Sequence, residues 1–125
     1  MELTIKQALQ RALTAHRAGQ LQEAELHYRT VLKSHPAHPD VNHNLGLIAV
    51  SVNKADAALP LFERALEAEP KKEQFWLSYL DALMKVQQFE ETEQALEQAR
   101  KQGVDREKLN TLEMQLKSST QVVEL

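Results

Sequence analysis

The chain has 125 residues, 42% of them hydrophobic and 26% charged, with a net charge of −3. These are the dimensions of one globular domain with an ordinary surface, and they exclude a large multi-domain enzyme. The absence of cysteine removes disulfides, thiolate nucleophiles and thiolate zinc sites and fits a cytoplasmic protein, while the acidic balance offers nothing to nucleic acid or anionic lipid.

The chain overlays on itself at a shift of 34 residues. Val31 to Pro36 fall on Ala65 to Pro70, and Gly19 to Ala24 fall on Asn53 to Ala58 and then on Gln87 to Thr92. Apolar residues recur at three and four, as in Leu9, Ala12 and Leu13, so each unit reads as two amphipathic helices. The first helix is expected near 2–18 and ends at Gly19, which tolerates the left-handed turn. A second, near 21–34, stops before Pro36 and Pro39 because the residue before proline is driven out of the helical region. The third, near 39–52, turns at Asn53, and the fourth, near 55–68, stops at Pro70. Pro60 inside the fourth should bend it without breaking it. A fifth helix near 73–86 turns at Gln87, a residue less suited to that geometry, and a sixth near 89–102 ends at Gly103. The seventh is expected over 105–117, capped by Asp105, with Leu109, Leu112 and Leu116 on one face and Lys108, Glu113 and Lys117 on the other. Residues 118–125 are expected to fray. The reading is one domain over 1–117, with units 5–38, 39–72 and 73–106.

Leu45-Gly46, Ala58, Phe62, Ala65 and Pro70 in the middle unit, Ala24, Tyr28 and Pro36 in the first, and Trp76 and Ala99 in the third make the chain resemble the tetratricopeptide repeat, a 34-residue helix–turn–helix unit. The resemblance implies an all-α fold, a right-handed α–α superhelix of three helix pairs with a C-terminal capping helix. Asn42 and Ala49 depart from the usual aromatics, Thr92 and Val104 replace alanine and proline, and Leu80 stands where a small residue is preferred. That leucine should alter how the third pair packs. The segment Phe75-Trp76-Leu77-Ser78-Tyr79-Leu80-Asp81-Ala82-Leu83 is similar to repeats that precede bacterial glycosyltransferase domains.

For function the resemblance implies a protein–protein interaction module or scaffold, not an enzyme, whose first helices line a concave groove. The family's groove positions fall here on Gln10, Leu13, Arg17, His43, Asn44, Leu47, Ser51, Gln74, Ser78 and Asp81. Among them Gln10, Asn44 and Ser78 would form a polar ladder able to hold an extended peptide backbone, beside a mostly apolar row of Leu13, Leu47 and Asp81. Relatives that bind acidic chaperone tails carry cations and asparagines at positions held here by Leu9, Leu13, Asn44, Gln74 and Ser78. Only Asn44 agrees, so a dicarboxylate would stay unneutralised.

Other chemistry finds no residues. His35, His38 and His43 have the wrong spacing for a metal site on one helix and read as solvated or capping side chains, so neither metal nor cofactor is expected. No phosphate loop, nucleophile elbow or zinc-protease motif occurs, and Trp76 with Phe75 reads as packing between helices. The longest apolar stretch, Leu45 to Val50, is far shorter than the roughly 20 residues of a membrane span. The N-terminus lacks the pattern of a signal peptide. Two readings of function follow. One is a monomeric module binding a peptide or partner domain. The alternative is self-assembly through the C-terminal helix or Val122, Val123 and Leu125, or service as a non-catalytic part of a larger glycosyltransferase-like protein.

Overall fold

The computed structural model describes residues 3–124, with side chains described through residue 121. Seven helices follow in order: α1 (Ile5–Arg17), α2 (Leu21–Ser34), α3 (Pro39–Ser51), α4 (Ala55–Ala68), α5 (Glu73–Lys85), α6 (Phe89–Lys101) and α7 (Arg106–Glu124). No strand occurs among the described residues. The first helix of each pair begins at Ile5, Pro39 or Glu73, at the interval of the sequence repeat. Packing is chiefly between helices adjacent in the chain, which is how a one-dimensional array is built.

Local chemistry sets the ends. Helix α1 starts later than expected because Thr4 closes a capping box: its Oγ1 accepts from the Gln7 amide at 3.1 Å while the Thr4 amide donates to Gln7 Oε1 at 3.0 Å. At the three intra-pair turns and after α6, Gly19, Asn53, Gln87 and Gly103 take φ of 76°, 63°, 60° and 86°. Each turn is closed by the same two bonds, for example Gly19 N to His16 O and Gln20 N to Ala15 O, repeated at Asn53–Lys54, Gln87–Gln88 and Gly103–Val104. This is the Schellman arrangement, which satisfies the carbonyls left over at a helix end. Pro39 occupies the first turn of α3, where a missing N–H costs nothing, and α4 runs unbroken through Pro60.

The apolar interior divides into two clusters. One joins α1, α2 and α3 around Tyr28 and Val31; the other runs from α4 to α7 around Phe62, Phe75, Trp76 and Leu83. Side-chain volume is traded between two repeat columns, Ala12–Gly46–Leu80 on the first helices and Tyr28–Phe62–Leu96 on the second. A Cβ on Gly46 would overlap the Phe62 ring. Where Leu80 fills the small position it is fully buried, and the corresponding second-helix residue is only Leu96. The third pair thus accommodates its leucine by giving up the aromatic.

Helix α7 takes the place of a first helix in a fourth pair. Leu109 and Leu116 are buried, in the columns of Val41 with Phe75 and of Ile48 with Ala82. The positions that α5 buries with Trp76, Leu80 and Leu83 hold Asn110, Met114 and Lys117 in α7, all exposed. That side of α7 is thus more polar than the matching side of α5, although Met114 stays exposed on it. Asp105 caps it, accepting from the Lys108 amide at 3.1 Å, and Glu73 of α5 clamps it by accepting from the Asp105 amide at 2.8 Å and from Lys108 Nζ at 2.9 Å. The expectation that order ends near 117 is corrected: α7 continues to Glu124. Residues 118–124 contain neither proline nor glycine, so each adds a hydrogen bond to a nucleus already formed. Met1, Glu2 and Leu125 lie outside the described residues, as do the side chains of Val122 and Val123, which the self-assembly reading invoked. No described helix is long and apolar enough to cross a membrane.

Candidate functional site

Helices α3 and α5, the first helices of consecutive pairs, form a concavity of 270 Å³ lined by Leu47, Val50, Phe62, Gln74, Leu77, Ser78 and Asp81. It brings together Leu47, Gln74, Ser78 and Asp81 of the residues expected from the sequence. Leu47, Val50 and Leu77 are half-buried, so their methyl groups are neither spent in the core nor fully hydrated. Asp81 is exposed and accepts from Lys85 Nζ at 2.7 Å. Gln74 is exposed, its Nε2 lying 3.4 Å from Ser78 Oγ.

The other expected residues do not share this concavity. Gln10 is exposed and borders a separate hollow of 190 Å³ with Arg11, Thr14, Gln20 and Glu23. Leu13 packs partly on the first core, Arg17 is exposed, and the Ser51 hydroxyl donates to the Ile48 carbonyl at 2.7 Å. Asn44 is half-buried beside Tyr28. Burial raises the pKa of the Tyr28 hydroxyl, with Asn44 and Arg17 opposing, and that hydroxyl lies 3.1 Å from His16 Nδ1.

His43 and Ser78 are tied to one another. Both are buried, at 6% and 8% exposure, and His43 Nε2 is 2.8 Å from Ser78 Oγ. The imidazole lies between Phe62, at a centroid distance of 5.5 Å, and Phe75, at 4.7 Å. Lys72 Nζ sits 4.7 Å from the Phe75 centroid and donates to Asp40 Oδ1 at 3.0 Å. Burial lowers the His43 pKa first and the Lys72 cation adds to it, while Asn44 and Asp40 oppose. These side chains link α3 to α5, and Ser78 also lines the concavity. The three residues of the expected ladder differ in burial: Gln10 is exposed, Asn44 half-buried and Ser78 buried. Periodicity missed the link because its ends are 35 residues apart. One signal was present: His43 shares a column with Leu9 and Leu77, and a histidine in a leucine column has to find a polar partner.

A serine beside an imidazole invites comparison with acyl transfer. Ser78 lies inside α5, however, where backbone amides are committed to helix carbonyls and none is free to receive an oxyanion. The other histidines serve structure: His38 Nδ1 accepts from the Val41 amide at 3.2 Å and caps α3, and His35 is exposed. Among the described residues no group of three histidine or carboxylate side chains is placed to hold a metal. Trp76 donates from Nε1 to the Pro70 carbonyl at 2.7 Å and is buried. Asn42, in the same column, donates from Nδ2 to the Pro36 carbonyl at 3.0 Å and to that of His38 at 2.9 Å. It copies the bond of the indole with a much smaller group and leaves its own Oδ1 buried without a partner.

Two sequence models of the tetratricopeptide repeat match, one over residues 49–116 and one over 9–71. No curated protein matches the chain. Solved structures of the same fold include MamA AMB-1, with a TM-score of 0.83 at 21% identity over 94% of this chain and 64% of that one. The Sgt2 TPR domain from Aspergillus fumigatus superimposes with a TM-score of 0.77 at 16% identity over 94% of this chain and 82% of that one. The first TPR of Spaghetti (RPAP3), solved with an HSP90 peptide, gives 0.77 at 15% identity over 100% of this chain and 99% of its own. On the matches over both halves of its length and the repeated helix pairs, the chain belongs to the tetratricopeptide repeat family.

Proposed function

We propose that this protein is a non-catalytic interaction module that takes an extended segment of a partner protein into the concavity between α3 and α5. The observation that carries this is the composition of that surface: Leu47, Val50 and Leu77 present apolar area above Phe62, with Gln74 and Asp81 as polar groups along the edge. Such a surface suits an apolar side chain for affinity and a peptide amide for orientation. The RPAP3 domain of the same fold was solved with the peptide SRMEEVD, which supports a peptide as the class of ligand. An acidic tail is a poor fit here, because Leu9, Leu13, Gln74 and Ser78 stand where the acidic-tail binders carry polar or cationic side chains. The absence of cysteine accords with a cytoplasmic setting.

The test is selection of binders from a random peptide library against the wild-type protein. Selected peptides should be rich in apolar residues and should lose about tenfold or more in affinity for Leu77→Gln. They should bind Arg64→Gln, altered on α4 outside the concavity, as well as wild type. Equal affinity for Leu77→Gln and wild type would remove the concavity from the account.

A further inference from the structure

Three helices meet at one imidazole. His43 of α3 packs with tilted rings against Phe62 of α4 and Phe75 of α5 and is hydrogen-bonded to Ser78 of α5. We propose that His43 is an acid-sensitive fastener of the joint between the second and third pairs, and that its protonation loosens this joint together with the concavity that Phe62 and Ser78 line.

A neutral imidazole suits the seat: one nitrogen meets the Ser78 hydroxyl, which can donate or accept, and the ring faces fill the space between two phenyl rings. An imidazolium does not. Its charge would be taken out of water where 6% of the residue remains exposed. Three features could compensate: the Asn44 side chain favours the cation but is outweighed by burial, and the other two are already engaged. The phenyl rings attract cations, but the Lys72 ammonium is 4.7 Å from the Phe75 centroid, so a second cation against that ring meets a like charge. Asp40 of α3 is the carboxylate that acts on His43, but it is ion-paired with Lys72 at 3.0 Å, and Glu69, in the segment after α4, lies 3.7 Å from the same Lys72. The contact from α4 is the uncharged Phe62, and those from α5 are Phe75 and Ser78, with Gln74 behind.

The lowered pKa agrees with this geometry. The folded form takes the proton less readily than the unfolded chain, whose histidines titrate near about 6.5. The contribution of His43 to stability is therefore complete above that pH and is eroded as pH falls from there towards the lowered folded value. Leu9 and Leu77 occupy the same column, so a joint insensitive to pH is within reach of this fold. The histidine introduces a response to acid that leucine lacks.

The experiment compares urea midpoints at about pH 7.5 and about pH 5.5 for wild type, His43→Leu and His43→Gln. The leucine is the array's own alternative, and the glutamine keeps an amide for Ser78 without titrating. The wild-type midpoint should fall further than that of either variant, since every other titrating group is shared. Equal falls would overturn the proposal. A proton NMR titration of the folded wild type supplies an independent reading should either variant fail to fold. His43 should titrate below the exposed His35, and a midpoint at or above that of His35 would overturn the proposal equally.

Discussion

Around Tyr28 the first core is closed by Ala8, Ala12, Ala15 and Ala24, whereas the second gathers Phe62, Phe75, Trp76, Leu80, Leu83 and Leu109 around the later helices. The polar ties differ in the same direction. The ion pair of the first pair, Glu25 with Arg29, stays within α2, while Lys72–Asp40, Lys108–Glu73 and Arg100–Glu113 bridge between elements from α3 onward. The packing of α2 on α3 is also thinner than that of α4 on α5. The N-terminal pair is thus joined to the second by a thinner seam than the one that joins the second pair to the third. In an array where each pair touches only its neighbours, stability follows such local differences, and the weak end opens first. The concavity lies across the thicker of these two seams.

The largest test of this gradient is Phe62→Ala. The ring is fully buried and lies against Gly46, so its removal should cost about 4 kcal/mol, read as a lower urea midpoint of the whole chain. Tyr28→Ala also empties a fully buried site, but it should open chiefly α1 and α2. Amide hydrogen exchange would then show protection lost there and kept in α5 to α7. Loss spread evenly over all helices would dissolve the distinction between the two halves.

Gly46→Ala comes next, at about 2 kcal/mol of destabilisation, because the added methyl meets an aromatic ring with no room to withdraw. The third pair shows the remedy in its Leu80 and Leu96. Adding Phe62→Leu to Gly46→Ala should therefore cost less than the two single changes summed, with a coupling of about 1 kcal/mol in a double-mutant cycle. Strict additivity would mean that the two columns do not trade volume.

The helices and their turns were legible because the signals are local. Glycine or asparagine at a helix end and a proline after it act within a few residues, and even Gln87 was placed correctly in a left-handed turn by its position in the repeat. The extent of α7 was misjudged because the polar Ser118 to Gln121 look like a tail while nothing in them breaks a helix. The site was less legible. Leu47, Gln74, Ser78 and Asp81, expected from their columns, share one concavity, but a column fixes only the helix face, and how far each side chain sinks depends on what stands opposite. Phe62 and Phe75 pack on His43, and His43 bonds Ser78, while Gln10 stays exposed.

Asn42 gives the smallest effect and the one with reversed sign. Its Nδ2 donates to the Pro36 carbonyl as the Trp76 indole does to Pro70, but its Oδ1 is buried with nothing to accept from, a group that costs free energy by remaining unpaired. Beside Pro36 a hollow of 450 Å³, lined also by Ala37, Arg64, Glu67 and Ala68, leaves space near the second pair. Asn42→Trp would keep the bond to Pro36, remove the orphan oxygen and add apolar area. It should raise the urea midpoint by the equivalent of about 1 kcal/mol. Hydrogen exchange in α2 should slow along with that in α3, because the indole would thicken the joint that is now thin. A lower midpoint would mean that the second pair has closed around asparagine so tightly that the array's own solution no longer fits there.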